Sequence, residues 1–261
     1  MQSLHTAATG MQAATTNIDV IANNLANQNT TAYKRKRAEF QDLLYVHDKR
    51  VGTQTSDAGT IRPTGIQIGL GVSTAAVYSI AEQGAFEQTS NPFDLAINGK
   101  GYFRVTLPDG TEAYTRAGAF QVNGDGEIVT ADGYTVSPGI TIPDNSSSVT
   151  VNNSGEVIVT IAGQTAPSNQ GQFELVRFIN EAGLESVGQN LMIETEASGP
   201  PTDGTPNEDG FGAITQGWLE GSNVIPVTEL TNMIKAQRAF EMNIKVMEAT
   251  DESMQTLNQA A

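Results

Sequence analysis

The sequence predicts an α+β protein: paired long N- and C-terminal helices, coiled-coil-like, with a central antiparallel β domain and an extended β connector. Three observations carry that prediction. Near the start, Leu4, Met11, Ile18 and Leu25 recur every seven residues, with Ala7, Ala14 and Ile21 three positions after the first three. Near the end, Met233, Phe240, Met247 and Met254 repeat that spacing, flanked by Leu230 and Ile244. A seven-residue apolar repeat keeps one narrow stripe of a helix turned toward a partner helix. Between the ends, short β-favouring runs alternate with Asn98-Gly99, Asp109-Gly110, Asn123-Gly124, Asp125-Gly126, Asp132-Gly133 and Ser154-Gly155, dipeptides that supply the positive φ of tight hairpins.

Residues 3 to 30 read as one helix, with Ser3 as cap and Gly10 as its weak point. The Asn-rich stretch from Asn23 to Thr31 should end it near Asn29 to Ala32, because such side chains bond locally to the backbone. Residues 33 to 47 read equally as a short helix or a strand. Val51 to Gly71 is rich in Gly, Thr, Ser, Pro and Asp, and the alternating run Ile66 to Val72 closes it, which predicts an extended hairpin or exposed arm. Residues 197 to 213 read as a loop. Ser222 or Asn223 then caps a helix from about 225 to 258 with Pro226 in its first turn. Each terminal helix should be about 40 to 50 Å long. The expected domains are 1–33 plus 223–261 for the helices, 34–90 plus 211–222 for the connector and hairpin arm, and 91–210 for the central β domain.

The chain has 261 residues, 38% of them hydrophobic, enough for one large or two modest domains. Its net charge of −15 argues against general affinity for nucleic acid, which needs a basic face. The charge is uneven: seven of the fourteen Lys and Arg lie between Lys34 and Arg62, whereas residues 100 to 220 hold four basic and sixteen acidic groups. No stretch approaches the ~20 apolar residues of a membrane span, so no membrane insertion is expected. The N-terminus does not read as a signal peptide, since no Lys or Arg precedes Lys34. The absence of cysteine excludes disulfides, thiolate catalysis and Cys-based zinc sites.

No catalytic, cofactor-binding or metal site is expected. His5 and His47 have no acid or serine nearby that suggests a relay, and serine hydrolase chemistry has no nominees. Gly99-Lys100-Gly101-Tyr102-Phe103 lacks the third glycine and following helix of a phosphate loop, and Asn123 to Glu127 lacks the spaced carboxylates of a calcium loop. Both read as turns. An enzyme or carbohydrate-binding domain would call for a clustered acid pair or an aromatic platform, and neither is evident. Lys34-Arg35-Lys36-Arg37 reads as a solvated run or as a contact for an acidic surface, with another copy's central domain the obvious candidate; a nucleic-acid or anionic-lipid site is the remaining alternative. Gln237 and Asp251 interrupt the second apolar stripe, so an isolated helix pair would be weak, and packing against several neighbours would compensate.

Asp19-Val20-Ile21-Ala22-Asn23-Asn24-Leu25-Ala26-Asn27, with Thr30 and Tyr33-Lys34, resembles the N-terminal signature of the flagellar rod and hook proteins. Ser222-Asn223-Val224, Glu229-Leu230, Met233-Ile234 and Gln237-Arg238-Ala239-Phe240-Glu241 are similar to the signature at their other end. Asp94 to Phe103 and Tyr114 to Phe120 resemble their β core. The stretches Arg37 to Tyr45 and Thr64 to Val72, together with the length, resemble the distal-rod branch in particular, with a proximal rod subunit as the alternative. The resemblance implies a structural subunit, not an enzyme, exported unfolded through the flagellar type III channel. Such subunits polymerise into a hollow helical shaft, helices inside and β domains outside, which carries torque from motor to hook across the periplasm. The implied partners are further copies of the chain, other rod subunits, the hook protein, the surrounding rings and the rod cap. The expected subunit contacts are the helix seams, formed by Leu4, Met11, Ile18, Ile21, Leu25, Leu230, Met233, Phe240, Ile244, Met247 and Met254. The connector from about His47 to Gly65, with Lys49, Arg50 and Arg62, is expected to add contacts that stiffen the tube.

Overall fold

In the computed structural model, which describes residues 2–49, 64–161, 166–208 and 210–260, helix α1 runs Gln2–Ala26 and helix α2 runs Pro226–Ala260. The fold is α+β, with antiparallel sheets between the two helices in sequence. α1 stops at the Asn-rich stretch, a little before the expected point, and turns follow as far as Ala32. Pro226 is the first residue of α2, where its missing N–H costs nothing. No helix among the described residues is long and apolar enough to cross a membrane.

The chain divides into two units. Unit 1 contains residues 1–26, 36–79 and 225–261. Here α1 packs on α2, and the small residues of α1 set how closely: Ala7 and Ala14 are buried, and a Cβ at Gly10 would lie 2.9 Å from Asn243 Nδ2. Strands β1 (Lys36–Asp42) and β4 (Val72–Ser79) pair antiparallel from Lys36↔Ser79 to Asp42↔Val72. β2 (Tyr45–Lys49) and β3 (Ile66–Gly69) continue the same ribbon, joined to it by Leu43 N–H to Gly71 O and Leu70 N–H to Leu44 O. Residues 33 to 47, open between helix and strand on sequence, are therefore largely strand. α1 covers part of β1 and β4, whereas all of β2 is exposed.

Unit 2 contains residues 27–35 and 80–224. β5 (Phe86–Gln88) pairs with Trp218–Glu220, and β6 (Leu95–Asn98) with Ala213–Gln216. β7 (Tyr102–Thr106) lies in a nine-stranded antiparallel sheet beside β8 (Glu112–Thr115), and a three-stranded sheet spans residues 146 to 172. The two-residue alternation of a strand sends Phe103 and Val105 of β7 into the main core and Tyr102 into a second one with Tyr114, Val176 and Phe178. Phe103 meets Phe120 edge to face at 5.1 Å, and Tyr114 meets Phe178 at 4.8 Å. Asn98-Gly99 joins two strands that do not pair, whereas the other turn dipeptides close hairpins: Gly126 has φ +83° and its N–H bonds Asn123 O, while Asn123 Oδ1 accepts from the N–H groups of Asp125 and Glu127.

Candidate assembly surfaces

The residues of the seven-residue pattern and its flanks lie at three depths. Ile21 is buried in α1, along with Ala7 and Ala14, while Leu4, Met11, Ile18 and Leu25 are half-buried. In α2, Ala236 is buried, Met233, Phe240, Ile244, Met247 and Met254 are half-buried, and Leu230 is exposed. Leu230 shares a face with Val227 and Ile234, and all three are uncovered. At the exposed end of the ribbon, Tyr45, Val46, Ile66 and Ile68 point large apolar side chains outward. All the exposed large hydrophobic side chains among the described residues lie in unit 1 except Val122, Ile179 and Val187.

Polar side chains lock each unit from within. In unit 1, Asn24 is buried and behaves like a strand backbone. Its Nδ2 donates to Lys36 O at 2.8 Å and to Glu229 Oε2 at 3.3 Å, and its Oδ1 accepts from Lys36 N–H at 2.8 Å. Lys36 thus gains a partner for both backbone groups, and one buried Asn links α1, α2 and β1.

Unit 2 is locked by a charged cluster. Lys34 Nζ donates to Glu220 Oε1 at 2.5 Å and to Glu82 O at 2.8 Å; Gly84 N–H donates to the same Oε1 at 2.9 Å; Arg116 Nε meets Glu220 Oε2 at 2.5 Å. The remaining Arg116 N–H groups reach the carbonyls of Gly101, Ile97 and Gly99. All three charged side chains are at most 5% exposed. Burial by itself would raise the Glu220 carboxyl, but Arg116 and Lys34 outweigh it and hold the group below the ordinary carboxylate value. Burial lowers the Lys34 amine against the pull of Glu220, and Arg116 adds to the lowering. Beside the cluster, Asn223 ties three passages of chain together. Its Oδ1 accepts from Arg35 N–H, its Nδ2 donates to Ile80 O and Glu82 O, and its own N–H donates to Tyr33 O. Ser222 and Asn223 are the two cap candidates of the sequence, but α2 begins only at Pro226 and the Asn223 side chain is used in these ties instead.

Sequence reasoning missed this cluster. Lys34 belongs to a run of four cations that reads as surface, yet the run splits: Lys34 is buried, Arg35 pairs with Glu82 at 3.2 Å, Lys36 is half-buried and only Arg37 is exposed. Nothing marks Glu220 in the sequence. His5 and His47 are exposed, Gly99 to Gly101 joins β6 to β7 and Tyr102-Phe103 begins β7, and no group of metal-ligating side chains occurs among the described residues. Lys49 is exposed at the end of β2; Arg50 and Arg62 lie outside the described residues.

Comparison with known proteins accounts for both ends and the middle. Residues 4–34 match the model of the flagella basal body rod protein, residues 96–159 that of the flagellar hook protein FlgE/F/G D1 domain, and residues 215–260 that of the flagellar basal body rod FlgEFG protein C-terminal region. The chain is 52% identical to the flagellar basal-body rod protein FlgG of Caulobacter vibrioides, covering 99% of both chains. It is 48% identical to that of Agrobacterium fabrum, over 97% of this chain and 96% of the relative. The rod protein FlgF of the same Caulobacter is more distant, 35% identical over 90% of this chain and 87% of its own. Within one organism, then, the resemblance separates two paralogues and favours FlgG. The chain belongs to the flagellar basal-body rod family, as a structural subunit of the rod most like the distal-rod protein FlgG.

Proposed function

We propose that the chain polymerises into a hollow helical shaft that spans the periplasm, transmits torque from motor to hook and forms part of the export channel. Unit 1 supplies the subunit contacts: the coiled-coil-like seams and the uncovered faces of α2 and the ribbon. The observation that carries this reading is where apolar surface is left in water. A free monomer gains nothing from exposing Tyr45, Val46, Ile66, Ile68, Val227, Leu230 and Ile234 in one unit, and large apolar patches mark interaction surfaces. Each such side chain fully buried is worth ~1.5–3 kcal/mol, offset by the entropy of ordering the partners. An open groove of about 470 Å³, lined in part by Ala7, Ile68 and Val246, offers further surface in the same unit. No enzymatic step is part of this reading. Other rod subunits, the hook protein, the rings and the rod cap are its proposed partners, and Lys49, Arg50 and Arg62 its proposed connector contacts.

The test is Ile21→Asp and Phe240→Asp in the full chain, each placing a charge in the seam, where burial without a partner costs several kcal/mol. Rod assembly and motility should be lost while the β unit keeps its thermal transition. Motile cells carrying both changes would show that the seam is not an interface.

A further inference from the structure

The Lys34–Glu220–Arg116 cluster buries two cations with one anion. That ratio changes what each member does. A buried one-to-one ion pair is harmed when either partner is removed, because the survivor is left uncompensated. Here Glu220 would remain matched by Arg116 if Lys34 were neutral. The hydrogen bonds point the same way. Both acceptors used by Lys34 have a second donor: Glu220 Oε1 has Gly84 N–H at 2.9 Å and Glu82 O has Asn223 Nδ2 at 3.0 Å, while the other carboxylate oxygen, Oε2, is held by Arg116 at 2.5 Å. Removing the Lys34 amine therefore orphans nothing. The amine is the member held at a cost, which agrees with its affinity for a proton being lowered by burial and further by Arg116.

What Lys34 contributes is selectivity of seating. It sits on residues 30–35, which lie along two other passages of unit 2, residues 80–85 and 220–224. Ala32 N–H donates to Glu220 O at 2.7 Å and Ile80 N–H to Arg35 O at 2.9 Å. Gly84 is needed at the meeting point because a Cβ there would collide with Gly221 O. An apolar side chain at position 34 could be buried in more than one sliding position of that strip. An ammonium has one, the position where it donates to both Glu220 Oε1 and the Glu82 carbonyl. We propose that Lys34 is a register key: it fixes how residues 30–35 seat on the β unit and adds no net stability to it.

Lys34→Met in the full-length protein separates the two roles, with the melting of the β unit followed by circular dichroism and amide exchange followed residue by residue. The inference expects a melting temperature no lower than that of the parent, together with a loss of ~10-fold or more in protection at the Ala32 and Asn223 amides, which bridge residues 30–35 and 220–224. A lower melting temperature, or failure to fold, would make Lys34 a stabilising residue and overturn the proposal. Unchanged protection at both amides would overturn it as well, since the strip would then be seated without its key.

Discussion

Unit 2 buries nearly all of its large apolar side chains, Val122, Ile179 and Val187 apart, and unit 1 leaves many of its own uncovered. The two clusters of unit 2 bury Phe103, Phe120, Phe173, Tyr102 and Tyr114 almost completely, so this unit has a core of its own and the means to fold alone. Unit 1 buries alanines at the helix contact, leaves most of its larger seam residues half-covered and exposes Leu230. Its two helices form through packing of their stripes rather than through propensity, and that packing is incomplete within one chain. On the proposed assembly, the difference separates a folded body from the surface by which it would be assembled. It also explains why the strongest polar locks take different forms: a charged cluster closes a finished core in unit 2, while an amide in unit 1 stitches a strand to two helices.

Three experiments would break or sharpen that contrast. The largest effect is expected at Glu220→Gln, which leaves Lys34 and Arg116 buried together without a carboxylate. Unit 2 should lose ~3–5 kcal/mol in chemical denaturation. The parent's pH dependence follows from the same group. Because the folded Glu220 carboxyl is held below 4.5, its contribution is full above that value and is lost as pH falls through the depressed one. Acid unfolding of Glu220→Gln should therefore be less steep than that of the parent, and equal slopes would remove Glu220 from the account of unit 2.

An intermediate effect is expected at Asn24→Ala. It strands the half-buried Lys36 N–H and removes a bond to Glu229, so unit 1 should lose ~1–3 kcal/mol while the unit 2 transition stays in place. Amide exchange at Lys36 reads the first, and a shift of the unit 2 transition would show that the units do not respond separately.

The smallest effect on the monomer is expected at Leu230→Ser with Ile234→Ser. Both residues are about half exposed or more, so monomer stability should change by less than ~0.5 kcal/mol. Polymer formation should weaken nonetheless, which sedimentation of the assembled protein would show. A destabilised monomer that assembles normally would mean this face is covered within the chain.

Much of the architecture is local and so legible. The seven-residue spacing marks both helices, Asn23 to Thr31 marks the end of α1, and Asn-Gly and Asp-Gly place the hairpins, because each depends on backbone preferences within a few residues. The sequence by itself also separated the acidic body from the basic connector. It left residues 33 to 47 open, since the strand pairing that orders β1 and β2 comes from β3 and β4, beyond reach of any short window.

The tertiary structure alone decided which charges are buried and which part of each stripe is covered. A helical period defines a stripe but not its depth, so Ala7 and Ala14 lie deeper than Leu4 and Met11 only because α2 approaches against Gly10. Likewise Lys34 and Glu220 are 186 residues apart, and neither has a neighbour in sequence that foretells the other. Their meeting, and the use of the Asn223 side chain as a tie between passages of this chain, depend on three passages of backbone converging. Convergence of that kind is set by the packing of the whole unit, where a buried charge is tolerable only if its partners arrive with it.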